Sequence, residues 1–556
     1  MSQRRSVDLP ALPPFRTALG GSLLLAAAFP PIDWPWLAWV APIPWLCLCQ
    51  SSQWQTRRPY LAIWCAGFLF WLWMLQGIRL AHPALIAGWI ALSAYIAVYL
   101  PLFIGLTRLA KERYRVPLVI AAPVVWTGLE ITRSYFLTGF AIGLLAHTQT
   151  SYPLVLQIAD LGGGYLVGFV MLTVSAGITE IGWAYSRRMA MTTAIRSAAW
   201  SVCLLVATLI YGHWSLSTAA ASVSEQPPLR VVLIQGALDT KFEFSPTRAR
   251  ETLQHYTVLT DQACERHPAF DLLVWPESSC PAPYYRVDKP LVTTPEMKIS
   301  PEELAQYLAD SNSQFDGLLA QVAARLNPPG DADRKASFVL GCTSLAYDSS
   351  PPHSYNTTLW SDPQGKIAGT YDKMHPVMFG EYIPFADWFP ILYRITPMAG
   401  GLTPGKSPVS FDIHAYRVSP SICFEDTVPH LLRKHVATLR AQDREPDVLL
   451  NITNDGWFWG SAILDLHLRC AILRSVELRK PLVIAANTGL SAAIDGNGRV
   501  LALGSRRRAE VLRVDIVRDG RLAGYSVWGD WPLGVCALVA WFLMAIGCRD
   551  WWQQRA

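Results

Sequence analysis

The chain has 556 residues, of which 51% are hydrophobic and only 16% are charged, whereas a soluble domain has roughly 25% charged residues. The apolar residues are concentrated between residue 17 and about residue 216, and residues 228–520 have the composition of ordinary globular protein. The formal net charge of +5 is small and lies largely in loops between apolar segments. No nucleic-acid partner is therefore expected.

The apolar part divides into segments of membrane-spanning length, because a helix needs about 20 apolar residues to cross the ~30 Å hydrocarbon core. The sequence predicts an α-helical transmembrane bundle of about eight spans, near residues 17–31, 36–50, 60–78, 83–106, 117–136, 161–184, 197–216 and 531–548. The first two are short and form a tight pair around the proline-rich residues 30–35.

Basic residues in the short loops predict the orientation of these spans, since Lys and Arg are enriched in cytoplasmic loops. Every second short loop is basic, the clusters being Arg4, Arg5 and Arg16; Arg57 and Arg58; Arg108, Lys111, Arg113 and Arg115; Arg187, Arg188 and Arg196; and Arg549 and Arg555. Both termini are thus predicted in the cytoplasm. The large segment before the last span is then expected on the opposite side of the membrane, which is the periplasm in a Gram-negative-type cell.

Residues 228–520 alternate strand-like and helix-like runs. Strands are predicted at 229–235, 271–275, 337–341 and 447–452, and a helix at 462–480 carries one apolar stripe. Asp362-Pro-Gln-Gly365 and Asp495-Gly-Asn-Gly498 are turn signals that predict hairpins. Strands that alternate with helices indicate an α/β domain.

Three residues with reactive side chains follow strand-like runs, where α/β sheets present functional groups. They are Glu277, Lys373 and Cys423. Taken singly, such a carboxylate is usually a cap or a surface ion-pair partner, such a lysine is usually solvated, and such a cysteine is usually buried and inert. Their joint occurrence in this order, each within a distinctive local sequence, is not explained by these separate interpretations.

The order and wording of the motifs around these residues resemble the nitrilase superfamily and, within it, the apolipoprotein N-acyltransferases. The matching motifs are Leu25-Ala-Ala-Ala-Phe29-Pro30-Pro31, Leu137-Thr138-Gly139-Phe140, Asp160-Leu161-Gly162-Gly163-Gly164, Gln235-Gly236, Trp275-Pro276-Glu277, Tyr371-Asp372-Lys373-Met374-His375, Phe379-Gly380-Glu381-Tyr382, Ser421-Ile422-Cys423-Phe424-Glu425-Asp426, Asn454-Asp455-Gly456-Trp457-Phe458 and Asn487-Thr488-Gly489. The resemblance covers nearly the whole chain.

The resemblance implies an α-β-β-α sandwich inserted into the membrane bundle. The expected divisions are a transmembrane bundle over 1–225, a periplasmic nitrilase-like catalytic domain over 226–520, and a last span with a cytoplasmic tail over 521–556. The implied reaction moves an acyl chain from a phospholipid, through a thioester on the enzyme, to the α-amino group of the diacylglyceryl-cysteine of an apolipoprotein. A monomer that needs no cofactor is expected.

In this resemblance Cys423 is the nucleophile, Glu277 the general base and Lys373 the oxyanion-stabilising group. Glu381 and Glu425 match positions that support the site, through orientation of Lys373 or contact with the incoming amine. Three aromatic residues are further candidates for support or substrate binding: Phe424, Trp457 and Phe242. Phe424 and Phe242 depart from the family pattern, which often has Tyr and Trp there, so acyl-chain preference is left open.

Other site types are not expected. The histidines and cysteines lack the spacing of metal ligands, so no metal is predicted. Residues 400–407 fit a P-loop pattern, but Pro408 and the alternating residues 409–413 predict a strand where a nucleotide-binding loop needs a helix. No nucleotide partner is predicted.

Two alternatives to acyl transfer remain at this stage. One is a membrane-anchored nitrilase-type amidase or hydrolase, in which water replaces the amine. The other is a non-catalytic membrane scaffold that retained the fold, against which the intact set of Glu277, Lys373 and Cys423 argues.

Overall fold

The computed structural model describes residues 11–219, 226–239, 245–287, 291, 299–329, 335–349, 352–384, 386, 388–389, 391 and 401–553. The chain divides into two compact units. One comprises Met1–Ala221, Val476–Leu478 and Leu522–Ala556, and the other comprises Ser222–Ser475 and Arg479–Arg521.

The α-helices of the described residues are, in chain order, α1 (Pro14–Ala27), α2 (Ile43–Gln50), α3 (Pro59–Met74), α4 (Leu85–Ala97), α5 (Tyr99–Tyr114), α6 (Leu118–Tyr135), α7 (Pro153–Leu156), α8 (Ala159–Ser186), α9 (Met191–Thr218), α10 (Pro246–Arg266), α11 (Pro301–Leu326), α12 (Pro429–Ala441), α13 (Ile463–Leu478), α14 (Gly524–Trp528) and α15 (Trp531–Gln553).

The strands are β1 (Leu229–Gln235), β2 (Leu272–Val274), β3 (Tyr284–Arg286), β4 (Ser337–Ala346), β5 (His353–Ser361), β6 (Ile367–Asp372), β7 (Phe411–Ile413), β8 (Tyr416–Ile422), β9 (Val448–Thr453), β10 (Leu482–Ala486), β11 (Ala492–Ile494), β12 (Val500–Leu503) and β13 (Glu510–Ile516). The predicted strands at 229–235, 271–275, 337–341 and 447–452 correspond to β1, β2, β4 and β9. The segment after residues 400–407 forms β7, a strand as predicted.

The first unit is helical. Within the part of the chain that the structure describes, four helical stretches are long and apolar enough to cross a membrane: Leu85–Tyr114, Ala159–Ser186, Met191–Thr218 and Trp531–Gln553. Helix α3 is apolar but shorter. The predicted segment 36–50 differs from the structure, where a 3-10 helix at Pro35–Trp39 precedes the separate helix α2. Helix α2 begins after Pro42 because proline, which lacks a backbone N–H, is accommodated at a helix start.

Helix α6 packs against α8 and α15 in this unit. A Cβ atom added to Gly128 of α6 would lie 2.3 Å from the carbonyl oxygen of Cys536 in α15. The absence of a side chain therefore lets these two backbones approach closely, as small residues do between membrane helices.

The second unit contains two sheets. One has the strand order β13-β1-β2-β4-β5-β6, with β3 paired to β4, and the other has the order β12-β11-β10-β9-β8-β7. The turns at 362–365 and 495–498 join antiparallel neighbours, β5 to β6 and β11 to β12, so both predicted hairpins are confirmed.

Alternation along β1 shows how the layers pack. Val231 and Leu233 belong to a cluster that also contains Val418 and Leu450 of the other sheet, so the two sheets face each other. The intervening Val232 and Ile234 pack with residues of α10 and α11 on the outer face. Side chains two residues apart share a face of a strand, and β1 is therefore buried on both sides.

Residues of both sheets continue into the candidate site. Strands β2 and β6 of the first sheet are followed by Glu277 and Lys373, and β8 of the second is followed by Cys423. A Cβ atom at Gly341 of β4 would lie 2.6 Å from the Cα atom of Glu277. A glycine is thus required where β4 passes the segment that carries Glu277.

We expect Gly341→Ala to reduce stability by about 1–3 kcal/mol, the usual cost of overpacking, and to displace Glu277. The measurement is the thermal unfolding midpoint of the purified protein. Gly317→Ala in α11 is the control, because a Cβ atom there meets nothing within 4 Å and alanine favours a helix. Equal midpoints for the two variants would contradict the proposed crowding.

Candidate active site

Cys423 is held at the end of a buried strand. It is the first residue of a 3-10 helix, Cys423–Thr427, that directly follows β8. Its φ of 52° is in the left-handed region, which non-glycine residues seldom adopt. Its carbonyl oxygen accepts a hydrogen bond from Asn451 Nδ2 at 3.1 Å. The backbone is thus fixed in an uncommon conformation at this residue.

Glu277 is buried, with 6% of its surface exposed, and both carboxylate oxygens have donors. Oε1 accepts from Asn356 Nδ2 at 2.6 Å, and Oε2 accepts from the backbone N–H of Asn454 at 2.7 Å. Asn356 lies in β5 and Asn454 directly follows β9, so the carboxylate is fixed from two sides.

Lys373 brings the acidic residues of the site together. Its side chain is 2% exposed, and its Nζ lies 2.8 Å from Glu381 Oε1 and 3.7 Å from Glu277 Oε1. Its backbone N–H donates to the carbonyl oxygen of Asn356 at 2.9 Å. The second oxygen of Glu381 accepts from the backbone N–H of Val377 at 2.8 Å. Glu381 therefore holds the ammonium and the loop that follows it.

Glu425 is fully buried and accepts hydrogen bonds from several donors. The backbone N–H groups of Met374, His375 and Ile422 donate to it at 2.7, 3.0 and 2.7 Å, and the hydroxyl of Tyr371 donates at 2.8 Å. Glu425 thereby connects the turn that carries Cys423 to the residues on both sides of Lys373.

The remaining candidates are peripheral or lie elsewhere. Phe424 is half-buried and stacks on His375, with ring centroids 6.1 Å apart. Trp457 is half-buried in the 3-10 helix Asp455–Phe458. Phe242 lies outside the described residues. Among the described residues, no cluster of three or more His, Cys, Asp or Glu side chains fits a metal ion.

The chain matches two family models. Residues 21–177 match the apolipoprotein N-acyltransferase N-terminal domain, and residues 230–521 match the carbon-nitrogen hydrolase domain. An apolipoprotein N-acyltransferase of Rhodopirellula baltica is 32% identical over 96% of this chain and 97% of its own length. The chain belongs to the apolipoprotein N-acyltransferase family. It is therefore an acyltransferase whose α/β unit has the nitrilase-superfamily fold.

The chain is also similar to a second curated relative and to a solved structure. The apolipoprotein N-acyltransferase of Geobacter metallireducens is 29% identical over 98% of each chain. The crystal structure of an amidase from Nesterenkonia sp. aligns with 54% of this chain and 94% of its own, at 16% identity and a TM-score of 0.35.

The protonation states in this member of the N-acyltransferase family follow from burial and from neighbouring charges. Burial raises the pKa of the Cys423 thiol well above its usual value, Glu277 raises it further, and Lys373 opposes both. Burial also raises the pKa of Glu277, again against the effect of Lys373. Burial disfavours the charge on Lys373, but Glu381, Cys423 and Glu277 raise its pKa overall. The arrangement thus favours a neutral thiol beside a charged ammonium before any substrate reacts.

Sequence reasoning missed the two asparagine side chains that bind the site, Asn356 and Asn451. Asn451 lies inside a predicted buried strand. A polar side chain in such an apolar run needs a hydrogen-bond partner, and this could have indicated a role in the site. Asn356 had no comparable signal, because β5 is rich in polar residues along its length.

Glu425 yields a stability prediction with a definite sign. Burial raises its pKa from 4.5 to about 7, so the folded protein binds this proton more tightly than the unfolded chain. Raising the pH from 4.5 to about 7 should therefore reduce wild-type stability relative to Glu425→Gln, by at most about 3 kcal/mol. Thermal unfolding midpoints of both proteins across this window provide the measurement.

The matched control is Glu302→Gln at an exposed position in the first turn of α11. The difference between the wild type and Glu425→Gln should change more over this window than the difference between the wild type and the control. A Glu425→Gln difference that stays constant across the window would contradict a raised pKa.

Proposed function

We propose that this protein transfers an acyl chain from a membrane phospholipid to the α-amino group of the diacylglyceryl-cysteine of apolipoproteins, through a thioester on Cys423. The observation that carries the proposal is the buried ammonium of Lys373, 2.8 Å from Glu381 and 3.7 Å from Glu277, whose charge lowers the pKa of the Cys423 thiol. Membership of the family supports the substrates, since the relatives are named as apolipoprotein N-acyltransferases.

In the first half-reaction, Glu277 accepts the proton of the Cys423 thiol and the sulfur attacks the carbonyl carbon of a phospholipid ester. Lys373 stabilises the oxyanion that forms, an effect worth about 3–4 kcal/mol for one well-placed donor in other enzymes. The carbon–oxygen bond then breaks, and Glu277 returns its proton to the departing lysophospholipid oxygen. A thioester on Cys423 remains.

In the second half-reaction, the free amine of the lipoprotein attacks the thioester carbonyl carbon. Glu277 takes a proton from the attacking nitrogen, and Lys373 again stabilises the oxyanion. The carbon–sulfur bond breaks, an amide forms, and the proton on Glu277 returns to the Cys423 sulfur. Glu381 and Glu425 support both steps by holding Lys373 and its neighbouring backbone. Phe424, Trp457 and Phe242 remain candidates for support of the site or for substrate binding.

The membrane half has a clear purpose in this reaction, because both substrates are lipids held in a bilayer. We propose about eight spans, with the bundle over 1–225, the catalytic domain over 226–520 and the last span and tail over 521–556. The alternation of basic loops supports cytoplasmic termini and a periplasmic catalytic domain in the inner membrane. We further propose that the enzyme acts as a monomer.

The first functional prediction concerns the nucleophile. With phospholipid alone, the wild type should accumulate one acyl chain on the peptide that contains Cys423, as expected for a ping-pong enzyme. Cys423→Ala should carry none and should lack transferase activity. Peptide mass spectrometry provides the measurement, and Cys470→Ala is the control because this buried thiol lies on α13. Turnover by purified Cys423→Ala would contradict the assignment.

The second concerns the base. Since Glu277 must be ionised to accept the thiol proton and its pKa is raised, thioester formation should decline with falling pH well before an ordinary carboxyl group is protonated. Glu277→Gln should lose at least about 100-fold in rate, as general-base removal typically does, and Lys373→Ala should also fail to charge Cys423. A pH series of single-turnover rates tests this. Glu277→Gln charging at the wild-type rate would transfer the role to another carboxylate.

The third concerns orientation. A small labelling tag inserted after Gln364, an exposed residue in the β5–β6 turn, should react with a membrane-impermeant reagent applied to spheroplasts. A tag at the C-terminus should react only after the membrane is permeabilised. The reverse pattern would place the catalytic domain in the cytoplasm.

A further inference from the structure

His467 is a buried histidine that the proposed mechanism does not use. It lies in the first turns of α13 and is 8% exposed. Its Nε2 is 2.7 Å from Asp426 Oδ1, and its Nδ1 is 3.3 Å from Asp455 Oδ1. Both aspartates are buried, at 0% and 3% exposure. The imidazole is thus placed between two carboxylates.

This geometry determines the protonation state of the ring. A carboxylate oxygen accepts hydrogen bonds, and a neutral imidazole has only one N–H to donate. Two ionised carboxylates, one at each ring nitrogen, require two N–H groups, so we assign His467 as an imidazolium cation. In agreement, Asp426 and Asp455 raise the pKa of His467 well above its usual value, although burial acts in the opposite direction.

The two aspartates lie on the turns that build the site. Asp426 is in the 3-10 helix that begins at Cys423. Asp455 directly follows Asn454, whose backbone N–H donates to Glu277. A single cation therefore joins the turn of the nucleophile to the turn that holds the base.

The charges also act on the thiol. Asp455 is one of the groups that raise the pKa of Cys423. Arg474 on α13 also lies near this trio, with its Nη1 3.5 Å from the carbonyl oxygen of Asp426. The imidazolium between the two carboxylates offsets negative charge that would otherwise oppose formation of a thiolate.

We propose that His467 is a positioning residue that stays doubly protonated, joins the Cys423 and Asn454 turns through Asp426 and Asp455, and neutralises their charge beside the thiol. This role rests on the proposed function, because it concerns deprotonation of Cys423 during thioester formation. It predicts that changes of charge in the trio shift the pH dependence of that step in opposite directions.

The test measures the pH of half-maximal thioester formation with phospholipid alone, by mass spectrometry of the Cys423 peptide in the full-length protein. His467→Gln removes the positive charge and should shift the curve to higher pH by about one unit or more. Asp455→Asn removes a negative charge and should shift it to lower pH. The double variant should lie near the wild type, because the two changes cancel.

His353→Gln is the matched control. His353 also contacts an aspartate, with Nδ1 2.8 Å from Asp348 Oδ1, but its side chain is 44% exposed. This variant should retain the wild-type curve. If His467→Gln does not fold, the shift in Asp455→Asn alone still tests the proposal.

Rates that fall without a shift in any of these curves would overturn the electrostatic role. A shift to higher pH in Asp455→Asn would overturn it as well. Failure of the wild type to charge Cys423 at any pH would instead contradict the proposed function, so the two failures are distinguishable.

Discussion

The site depends on a single buried ammonium. Moving such a charge out of water costs several kcal/mol, and only close carboxylates with good geometry offset that cost. Lys373 has Glu381 at 2.8 Å and Glu277 at 3.7 Å, and these partners keep it charged in spite of its burial. Their own freedom is restricted in turn, because each carboxylate also accepts a hydrogen bond from Asn356. Lys373 thus restricts the positions that the Glu277 and Glu381 carboxylates can take in the site.

Burial and Lys373 have opposite effects on the two acidic groups of the site. Burial raises the pKa of the Cys423 thiol and of Glu277, so it favours the protonated form of both. Lys373 lowers both pKa values, and in the proposed mechanism its charge favours the thiolate during attack as well as the oxyanion that follows.

The sequence predicted secondary structure best where one physical pattern dominated, such as an apolar run or a glycine-containing turn. Strand β1 has the predicted bounds because both of its faces are buried and residues 231–234 form an apolar run between Arg230 and Gln235. The hairpins followed from glycine-containing turns. By contrast, prolines divide the apolar run 36–50 into a 3-10 helix and the separate helix α2. A hydropathy profile does not detect this division. The support of Glu277 by a backbone N–H of Asn454 was equally inaccessible, since it depends on how the ends of distant strands meet.

The proposed nucleophile and the proposed base come from different sheets of the α/β unit. Cys423 follows β8 of one sheet, whereas Glu277 and Lys373 follow β2 and β6 of the other. The apolar interface between the sheets, which includes Val231 and Leu450, therefore sets the position of Cys423 relative to Glu277 and Lys373. A displacement of reacting groups by about 1 Å can cost around 100-fold in rate. A small shift of one sheet against the other would therefore greatly reduce the rate of acyl transfer while leaving the protein folded. Fewer substitutions in this apolar core should accordingly preserve the rate of acyl transfer than preserve the free energy of unfolding.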